Sequence, residues 1–304
     1  MNMADSRHFV ELRGKLARNA ALARHTTWHA GGPADLLFMP ADRDDLANFL
    51  RQLPASEPVT VLGLGSNVLV RDGGIRGAVI VMHNPGGMLA VADGMIYGEA
   101  GVASPKLARF AAQHGCDGEF LAGIPGTVGG ALAMNAGCYG DETWAHVVKV
   151  ELVNRDGTFA IRTPADYAVG YRSVNAADGR EHAAIFTAAW FRFQFGDALE
   201  ARARIRALLA KRIATQPLAQ PNAGSVFRNP EGDHAARLIE VCGLKGFAFG
   251  AASVSQKHAN FIVNPTRGAR AADIEALIER VREIVRARTG VVLEAEVRVL
   301  GDAA

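Results

Sequence analysis

The segment from Gly123 to Gly140 constrains the fold of this chain more than any other stretch; it reads Gly-Ile-Pro-Gly-Thr-Val-Gly-Gly-Ala-Leu-Ala-Met-Asn-Ala-Gly-Cys-Tyr-Gly. Each glycine costs backbone entropy on ordering and removes a side chain that could pack, so the composition predicts a loop rather than an ordinary helix or strand. A loop of this kind suits a flat or phosphorylated ligand, because converging main-chain N–H groups bind anions. A run of tight turns is the alternative, and glycine content alone leaves both open.

Composition describes a globular chain without a strong overall charge. Its 304 residues are 49% hydrophobic, enough to bury a full core and to divide into two or three domains. The 33 Lys and Arg residues nearly balance the 31 Asp and Glu residues, which leaves no global field for nucleic acid or an anionic membrane. Residues 1–24 lack a secretory core, and no apolar run approaches the roughly 20 residues that cross a bilayer. We therefore expect a cytoplasmic protein that binds neither nucleic acid nor membrane.

Cysteine and histidine positions argue against disulfides and bound metal. Cys116, Cys138 and Cys242 are odd in number and lack CxxC spacing, so reduced, buried thiols are predicted. His25 and His29 share a turn that has no carboxylates or thiolates clustered near it in sequence. Ordinary hydrogen-bonded histidines are predicted there, and no metal site is predicted.

Hydrophobic periodicity predicts an α/β beginning, an antiparallel middle and a smaller α/β end. The first part is predicted to contain a helix over 10–23, strands over 36–39, 59–64 and 68–70, and a helix over 42–53 capped by Asp42. The middle is predicted to contain strands over 77–82, 88–91, 95–100 and 183–195, a helix over 104–114 capped by Ser104, and a hairpin of 147–154 with 158–162. The end is predicted to contain helices over 198–214, 234–242 and 271–288 and strands over 249–254, 260–263 and 291–300.

The run Gly63-Leu64-Gly65-Ser66-Asn67-Val68 begins like a dinucleotide-binding fingerprint but has valine at the third glycine position. It therefore fails as a Rossmann signal, and no P-loop lysine follows either glycine loop. Its backbone N–H groups and its serine and asparagine side chains nevertheless suit a pyrophosphate. Ser225 lacks a Gly-x-Ser-x-Gly elbow, so taken alone it is interpreted as a turn serine.

Two further patterns carry charge. In the predicted last strand, alternation places Glu294, Glu296 and Arg298 on one face, which by itself predicts a solvated polar face. Arg172 follows Tyr171; arginine binds carboxylate or phosphate in a bidentate way, although most arginines are surface residues.

Read together and in order, these pieces resemble the UDP-N-acetylenolpyruvoylglucosamine reductases, also called UDP-N-acetylmuramate dehydrogenases or the MurB family. The resemblance runs through nearly the whole chain. Its motifs are Thr27 with Gly31-Gly32-Pro33-Ala34, Leu62 to Asn67, Gly123 to Ala131, Met134 to Gly137, Tyr171-Arg172, Gln216-Pro217, Gly224 to Pro230, His258 to Phe261, and Leu293 to Arg298.

The resemblance implies a fold and a reaction. The fold is α+β or α/β, with a flavin-binding fold of the vanillyl-alcohol oxidase type in two subdomains (1–85 and 86–200), followed by a substrate domain (201–304). The implied cofactor is non-covalently bound FAD, and NADPH is the hydride donor. The implied reaction reduces UDP-N-acetylglucosamine enolpyruvate to UDP-N-acetylmuramate in peptidoglycan synthesis. The protein is expected to be a monomer.

The resemblance also implies roles for particular residues. Ser225 is matched to the general acid, and Arg172 and Glu296 to the groups that stabilise the enolate. The implied FAD-binding residues are Gly63, Gly65, Ser66, Asn67, Gly123, Pro125, Gly126, Thr127, Gly129, Gly130 and Asn135. The implied substrate-binding residues are Tyr171, Arg228, Asn229 and His258.

Two departures and two alternatives accompany this interpretation. The family usually has serine two residues after the motif arginine, whereas position 174 is Val, so remodelling is expected over 174–181. The chain is also short where one class of the family carries an extra substrate-covering loop. A flavin oxidase on the same scaffold, or a flavin- or sugar-nucleotide-binding protein without turnover, stays open at this point.

Overall fold

The computed structural model describes residues 9–179 and 184–304, with eighteen strands and six α-helices in those ranges. No helix in the described part of the chain is both long and apolar enough to span a bilayer.

The first unit is a four-stranded sheet with one helix packed on it. Its elements are β1 (Lys15–Ala21), β2 (Pro33–Met39), α1 (Arg43–Gln52), β3 (Val59–Leu62), β4 (Val68–Val70) and β5 (Ile75–Val81). The sheet order is β1-β2-β5-β3, and β2, β5 and β3 run parallel. As predicted, Asp42 caps α1, since its Oδ1 accepts a hydrogen bond from the Asp45 amide at 2.9 Å. Because β2, β3 and β5 are parallel, their carboxyl ends meet at one edge of the sheet.

The second unit is a five-stranded antiparallel sheet covered by helices. Its elements are β6 (Leu89–Ala92), β7 (Met95–Glu99), α2 (Ser104–Gln113), α3 (Val128–Ala133), β8 (Gly137–Cys138), β9 (Asp141–Glu142), β10 (Val147–Val153), β11 (Phe159–Arg162), β12 (Tyr167–Gly170), β13 (Ser173–Ala176), β14 (Ile185–Phe191) and α4 (Ala198–Thr215). The sheet order is β11-β10-β14-β7-β6, which confirms the predicted hairpin of β10 and β11. β12 and β13 form a separate hairpin whose turn carries Tyr171 and Arg172.

The third unit packs helices on a small antiparallel sheet. Its elements are α5 (Ala235–Val241), β15 (Ala248–Phe249), β16 (Ala252–Val254), β17 (Ile262–Val263), α6 (Ala271–Thr289) and β18 (Arg298–Leu300). β18 returns to the first unit and pairs in parallel with β4. Trp28 and Leu69 of the first unit also lie in the core of the third. The first and third units therefore share one apolar interface.

Several sequence predictions are wrong at element level. Residues 15–21 form an edge strand rather than part of a helix, because pairing with β2 overrides their Ala-rich helical pattern. Residues 128–133 form a short helix inside the glycine-rich segment, which the side chain of Thr127 caps by accepting from Gly130 N. β5 is parallel to its neighbours rather than antiparallel. The predicted last strand is paired as a strand only over 298–300.

Ser104 does not cap α2: Ala103 occupies the cap position, and Ser104 Oγ is buried without a partner. Residues 180–183 lie outside the described residues, so the start of the predicted 183–195 strand and part of the 174–181 segment are not covered.

The domain limits after residues 85 and 200 stay predictions. Helix α4 contributes Ala201 and Ile205 to the core of the second unit.

We predict that Asn264→Ala destabilises the protein by about 2 kcal/mol or more. Asn264 is fully buried, donates from Nδ2 to the Trp28 carbonyl at 2.9 Å and accepts from the Ala269 amide at 3.0 Å. The substitution leaves both backbone groups unpaired inside the interface of the first and third units. Urea unfolding measures the loss of unfolding free energy. Exposed Asn175→Ala is the matched control, and equal stability of the two variants would contradict the assignment.

Candidate active site

A cavity of about 370 Å³ lies where the three units meet. Its walls come from the loop at 63–67, the glycine-rich segment, the turn at 171–172, the segment at 223–229, and Glu296. Volumes of 300 to 1,000 Å³ are typical of small-molecule sites. The cavity is therefore large enough to receive part of a cofactor or substrate.

Two glycine loops approach each other at one wall. A methyl group on Gly63 would lie 2.5 Å from Thr127 Oγ1, and one on Gly65 would overlap the carbonyl oxygen of His25. Gly65 also has a φ of +63°, a conformation that other residues rarely adopt. The absence of a side chain thus lets Gly63 pack against the Thr127 side chain and Gly65 against the backbone of His25.

Gly126 differs, because a methyl group there would meet nothing nearer than Ser66 Oγ at 3.5 Å. The lack of a side chain at Gly126 therefore leaves open space in the cavity rather than permitting a protein contact. Ser66 and Asn67 add hydroxyl and amide donors beside it. This wall, small and rich in backbone and side-chain donors, fits a flat flavin with a diphosphate.

An ion pair also lines the cavity. Arg172 Nε donates to Glu296 Oε1 at 2.7 Å, and the two side chains are only 18% and 15% exposed. The guanidinium also donates to the carbonyls of Gly137 at 3.1 Å and Asn135 at 3.4 Å. The backbone of Arg172 has a φ of +54°, which turns it out of the β12–β13 hairpin. Three side-chain interactions thus fix the guanidinium of Arg172.

Glu296 is held from two more directions. Its amide donates to Val226 O at 2.8 Å, and its carbonyl accepts from Asn67 Nδ2 at 3.2 Å. Its environment is therefore a shielded ion pair between units, whereas the strand pattern alone predicted a solvated face. Glu294 retains that exposed character, with 76% of its side chain accessible.

Ser225 lies on the same cavity wall, in a segment pinned by a buried asparagine. Asn260 Oδ1 accepts from the Phe227 amide at 3.0 Å, Nδ2 donates to the Phe227 carbonyl at 2.8 Å, and the Asn260 carbonyl accepts from Val226 N at 2.9 Å. These three bonds fix the backbone directly after Ser225. The serine is thus carried by a rigid segment rather than a mobile turn.

The cavity brings together most of the site residues predicted from sequence. Those lining it are Gly63, Gly65, Ser66, Asn67, Gly123, Pro125, Gly126, Thr127, Gly130, Tyr171, Arg172, Ser225, Asn229 and Glu296. Arg172, Ser225 and Glu296, which come from distant parts of the sequence, therefore share one space.

Gly129, Asn135, Arg228 and His258 do not line the cavity. Gly129 packs on Ala100 and donates to its carbonyl at 2.8 Å. Asn135 is fully buried. Its Oδ1 accepts a hydrogen bond from the Trp144 amide, and its Nδ2 donates to the Gly170 carbonyl.

The other two predicted substrate contacts also point elsewhere. Arg228 Nη1 lies 3.9 Å from Glu294 Oε2. The Nε atom of Arg228 is buried without a hydrogen-bond partner. His258 packs edge-on against Phe261, and burial lowers the pKa of its imidazole. Contact of either residue with a ligand stays a prediction.

Several cavity residues received no role from the sequence. Arg212, Asn260, Arg298 and Cys138 all contribute to the walls. Arg212 sits in a helix rich in arginine, so nothing in its local pattern distinguishes it. Burial raises the pKa of the Cys138 thiol, which favours the neutral form. Among the described residues, no group of three or more His, Cys, Asp or Glu side chains is placed to hold a metal ion.

Residues 34–161 match an FAD binding domain, and residues 216–300 match the C-terminal domain of UDP-N-acetylenolpyruvoylglucosamine reductase. These matches confirm the predicted flavin-binding fold with a C-terminal α/β domain. The chain is therefore an FAD-dependent oxidoreductase.

Comparison with whole proteins extends the match over nearly the full chain. The UDP-N-acetylenolpyruvoylglucosamine reductase of Thiobacillus denitrificans is 54% identical over 96% of this chain and 94% of its own length. That of Legionella pneumophila is 50% identical over 98% of both chains. The crystal structure of the Thermus caldophilus enzyme, MurB, superposes with a TM-score of 0.77 at 33% identity, covering 95% of this chain and 99% of that one. The chain belongs to the UDP-N-acetylenolpyruvoylglucosamine reductase family.

We predict that Gly63→Ala weakens FAD binding at least tenfold, because the added methyl group pushes Thr127 and the second glycine loop away from the first. Titrating the apoprotein with FAD and following the quenching of flavin fluorescence measures the effect. Gly86→Ala is the matched control, since Gly86 is exposed and a methyl there meets nothing closer than 3.5 Å. An unchanged FAD affinity in Gly63→Ala would contradict the assignment of the two glycine loops to FAD binding.

Proposed function

We propose that this chain reduces UDP-N-acetylglucosamine enolpyruvate to UDP-N-acetylmuramate with NADPH, through bound FAD, in peptidoglycan synthesis. The observation that carries the proposal is the convergence of Arg172, Ser225 and Glu296 on one cavity beside the glycine loops. Family membership supports the same reaction. The flavin oxidase and the binding protein without turnover have no comparable support.

FAD, when bound, supplies the redox chemistry by relaying hydride from NADPH to the enolpyruvyl double bond. The protein must then manage negative charge that spreads between the neighbouring carbon and the substrate carboxylate. The guanidinium of Arg172 supplies the positive charge. Because Asn135, Gly137 and Glu296 fix that guanidinium, it needs little reorganisation when the charge develops.

We assign Ser225 the proton transfer that completes the reduction. Its hydroxyl donates a proton from Oγ to the carbon that bears the developing charge, and the resulting alkoxide must be reprotonated. A serine hydroxyl is a weak acid, so its position decides whether the transfer occurs. The Asn260 contacts that fix residues 226 and 227 support that position. Glu296 lines the same cavity, and its carboxylate balances the positive charge of the Arg172 guanidinium.

The structure also motivates a revised proposal for Asn135. Its side chain is used by Trp144 and Gly170, while its carbonyl accepts from Arg172. We therefore assign Asn135 to positioning Arg172 rather than to contact with FAD. Gly170 precedes the turn that carries Arg172, so one asparagine supports both the backbone and the guanidinium of that residue.

Cellular location and assembly belong to the same proposal. Both substrates are nucleotides of the cell interior, so we place the protein in the cytoplasm. We also propose that the protein is a monomer. Gel filtration with light scattering tests the monomer directly.

We predict that Ser225→Ala separates the two half-reactions. Flavin reduction by NADPH stays within about threefold of wild type, because Ser225 has no part in it. Reoxidation by the sugar nucleotide slows by about 10²- to 10⁴-fold, the usual contribution of a general acid. Anaerobic stopped-flow absorbance measures both rates. Ser225→Cys, which retains a proton donor, recovers part of the second rate, and equal loss of both half-reactions in Ser225→Ala would exclude the assignment.

We predict that Asn135→Ala slows reoxidation of the flavin by the sugar nucleotide about 10- to 100-fold, because a displaced Arg172 guanidinium no longer aligns with the substrate. FAD content per chain stays at the wild-type level. Asn175→Ala, on the neighbouring strand β13, is the matched control. A lowered FAD affinity with an unchanged reoxidation rate would instead return Asn135 to the cofactor-binding group.

A further inference from the structure

The loop at 63–67, which forms one wall of the cavity, is held by two different units. Its first end continues from β3, a strand of the first unit's sheet. Its other end continues into β4, which lies outside that sheet and pairs in parallel with β18 of the third unit. Leu69, in the middle of β4, is fully buried in the core of the third unit. The conformation of the loop therefore depends on how the third unit is docked.

The last residue of the loop bonds directly to the third unit. Asn67 Nδ2 donates to the Glu296 carbonyl at 3.2 Å, and the Asn67 carbonyl accepts from the Arg298 amide at 3.0 Å. These two bonds lie immediately before the pairing of β4 with β18. The second half of the loop is thus fixed by the backbone of the third unit.

The middle of the loop reaches the third unit through one neighbouring segment. The Gly65 carbonyl accepts from the amide of Thr27 at 3.1 Å and from its hydroxyl at 3.2 Å. The next residue, Trp28, is fully buried in the core of the third unit, and its Nε1 donates to the Ile262 carbonyl of β17 at 2.8 Å. Docking of Trp28 therefore also sets the position of Gly65.

The two residues after β4 bind helix α6. Arg71 donates from Nε and Nη2 to the two carboxylate oxygens of Glu275 at 3.0 and 2.7 Å. Asp72 accepts from the amides of Ala271 at 3.0 Å and Ala272 at 2.9 Å. These amides begin α6 and have no partner within the helix, and a carboxylate there also balances the helix dipole. We call these four bonds the α6 latch.

We propose that docking of the third unit and binding of FAD are coupled through the loop at 63–67, with Arg71, Asp72 and Glu275 as positioning residues. The three lie outside the described walls of the cavity, so they act on FAD only through the loop. A loop already held in its binding conformation loses less freedom when the ligand binds. By reciprocity, bound FAD holds the third unit more tightly. The proposal rests on the assignment of this loop to FAD and not on the proposed reaction.

The coupling predicts that residues 34–161, which match an FAD binding domain, do not complete the FAD site without the third unit. Titration of full-length apoproteins with FAD, followed by quenching of flavin fluorescence, tests it. Asp72→Ala is expected to weaken FAD binding about tenfold, a usual size for coupling between separate sites. Asp72→Asn, which keeps one acceptor oxygen, recovers part of the affinity. Asp42→Ala is the matched control, because it removes a cap of the same kind from α1 within the first unit.

A second pair of variants gives a result even where Asp72→Ala does not fold. Glu275→Gln removes the charge that pairs with Arg71 and is expected to weaken FAD binding about threefold, the size expected for one partly exposed ion pair. Glu279→Gln, four positions further along α6, is the matched control, because Glu279 pairs with Arg282 of the same helix.

Hydrogen exchange of the Ala271 and Ala272 amides, followed by NMR, tests the coupling in the opposite direction and in the unaltered protein. Both amides report on the latch because Asp72 binds them. FAD is expected to slow their exchange about tenfold, the same factor by which the latch strengthens FAD binding. A latch with a purely structural role would give the same exchange rates with and without FAD.

Weaker FAD binding in Asp72→Ala and Glu275→Gln, with both controls at the wild-type affinity, supports the proposal. FAD affinities of the latch variants that equal those of their controls would overturn it, as would amide exchange that FAD leaves unchanged. Latch-dependent FAD binding in a protein that does not reduce the sugar nucleotide would contradict the proposed function and leave the coupling standing.

Discussion

The ion pair of Arg172 with Glu296 is the interaction on which the site depends most. Its partners are 124 positions apart and belong to the second and third units, so the pair exists only when those units are docked. Both side chains are largely shielded from water, which strengthens their attraction and makes an unpaired partner costly. The pair therefore fixes the guanidinium of Arg172 at the cavity and couples its position to the docking of the units.

Three asparagine side chains support this arrangement by bonding to the backbone. Asn135 fixes the turn that carries Arg172, Asn260 fixes the segment after Ser225, and Asn67 bonds the carbonyl of Glu296. An asparagine offers both a donor and an acceptor, so a single side chain can satisfy irregular backbone that has no ladder partner. Each residue assigned to the chemistry thus lies on irregular backbone that a separate asparagine holds in place. The precision of the site comes from these supports as much as from the reacting groups.

Local signals predicted part of this structure well. Asp42 caps α1, and the hairpin of β10 with β11 forms where its turn residues indicated. The elements that failed depend on distant partners: residues 15–21 become a strand because β2 lies beside them, and β5 becomes parallel because β2 and β3 flank it. Periodicity carries no information about such pairing.

The site residues likewise separate into those that the sequence predicted and those that depend on distant packing partners. Ordered motifs predicted Arg172, Ser225 and Glu296, and the cavity brings the three together. They matched Asn135 to FAD, whereas its side chain bonds protein backbone in the structure, and they gave no role to Arg212, which lies in a helix of similar residues. Composition also predicted loop throughout the glycine-rich segment, where a capped helix of six residues forms against Ala100. In each case the local sequence pattern does not show which distant residues pack against the segment.

We propose that one cavity receives hydride from NADPH and delivers it to a sugar-nucleotide double bond. An anaerobic absorbance titration of the purified protein tests both transfers in one experiment. We expect NADPH to bleach the visible absorbance band of the oxidised flavin, and UDP-N-acetylglucosamine enolpyruvate then to restore it. A flavin that NADPH reduces but that only oxygen reoxidises, with formation of hydrogen peroxide, would contradict the account.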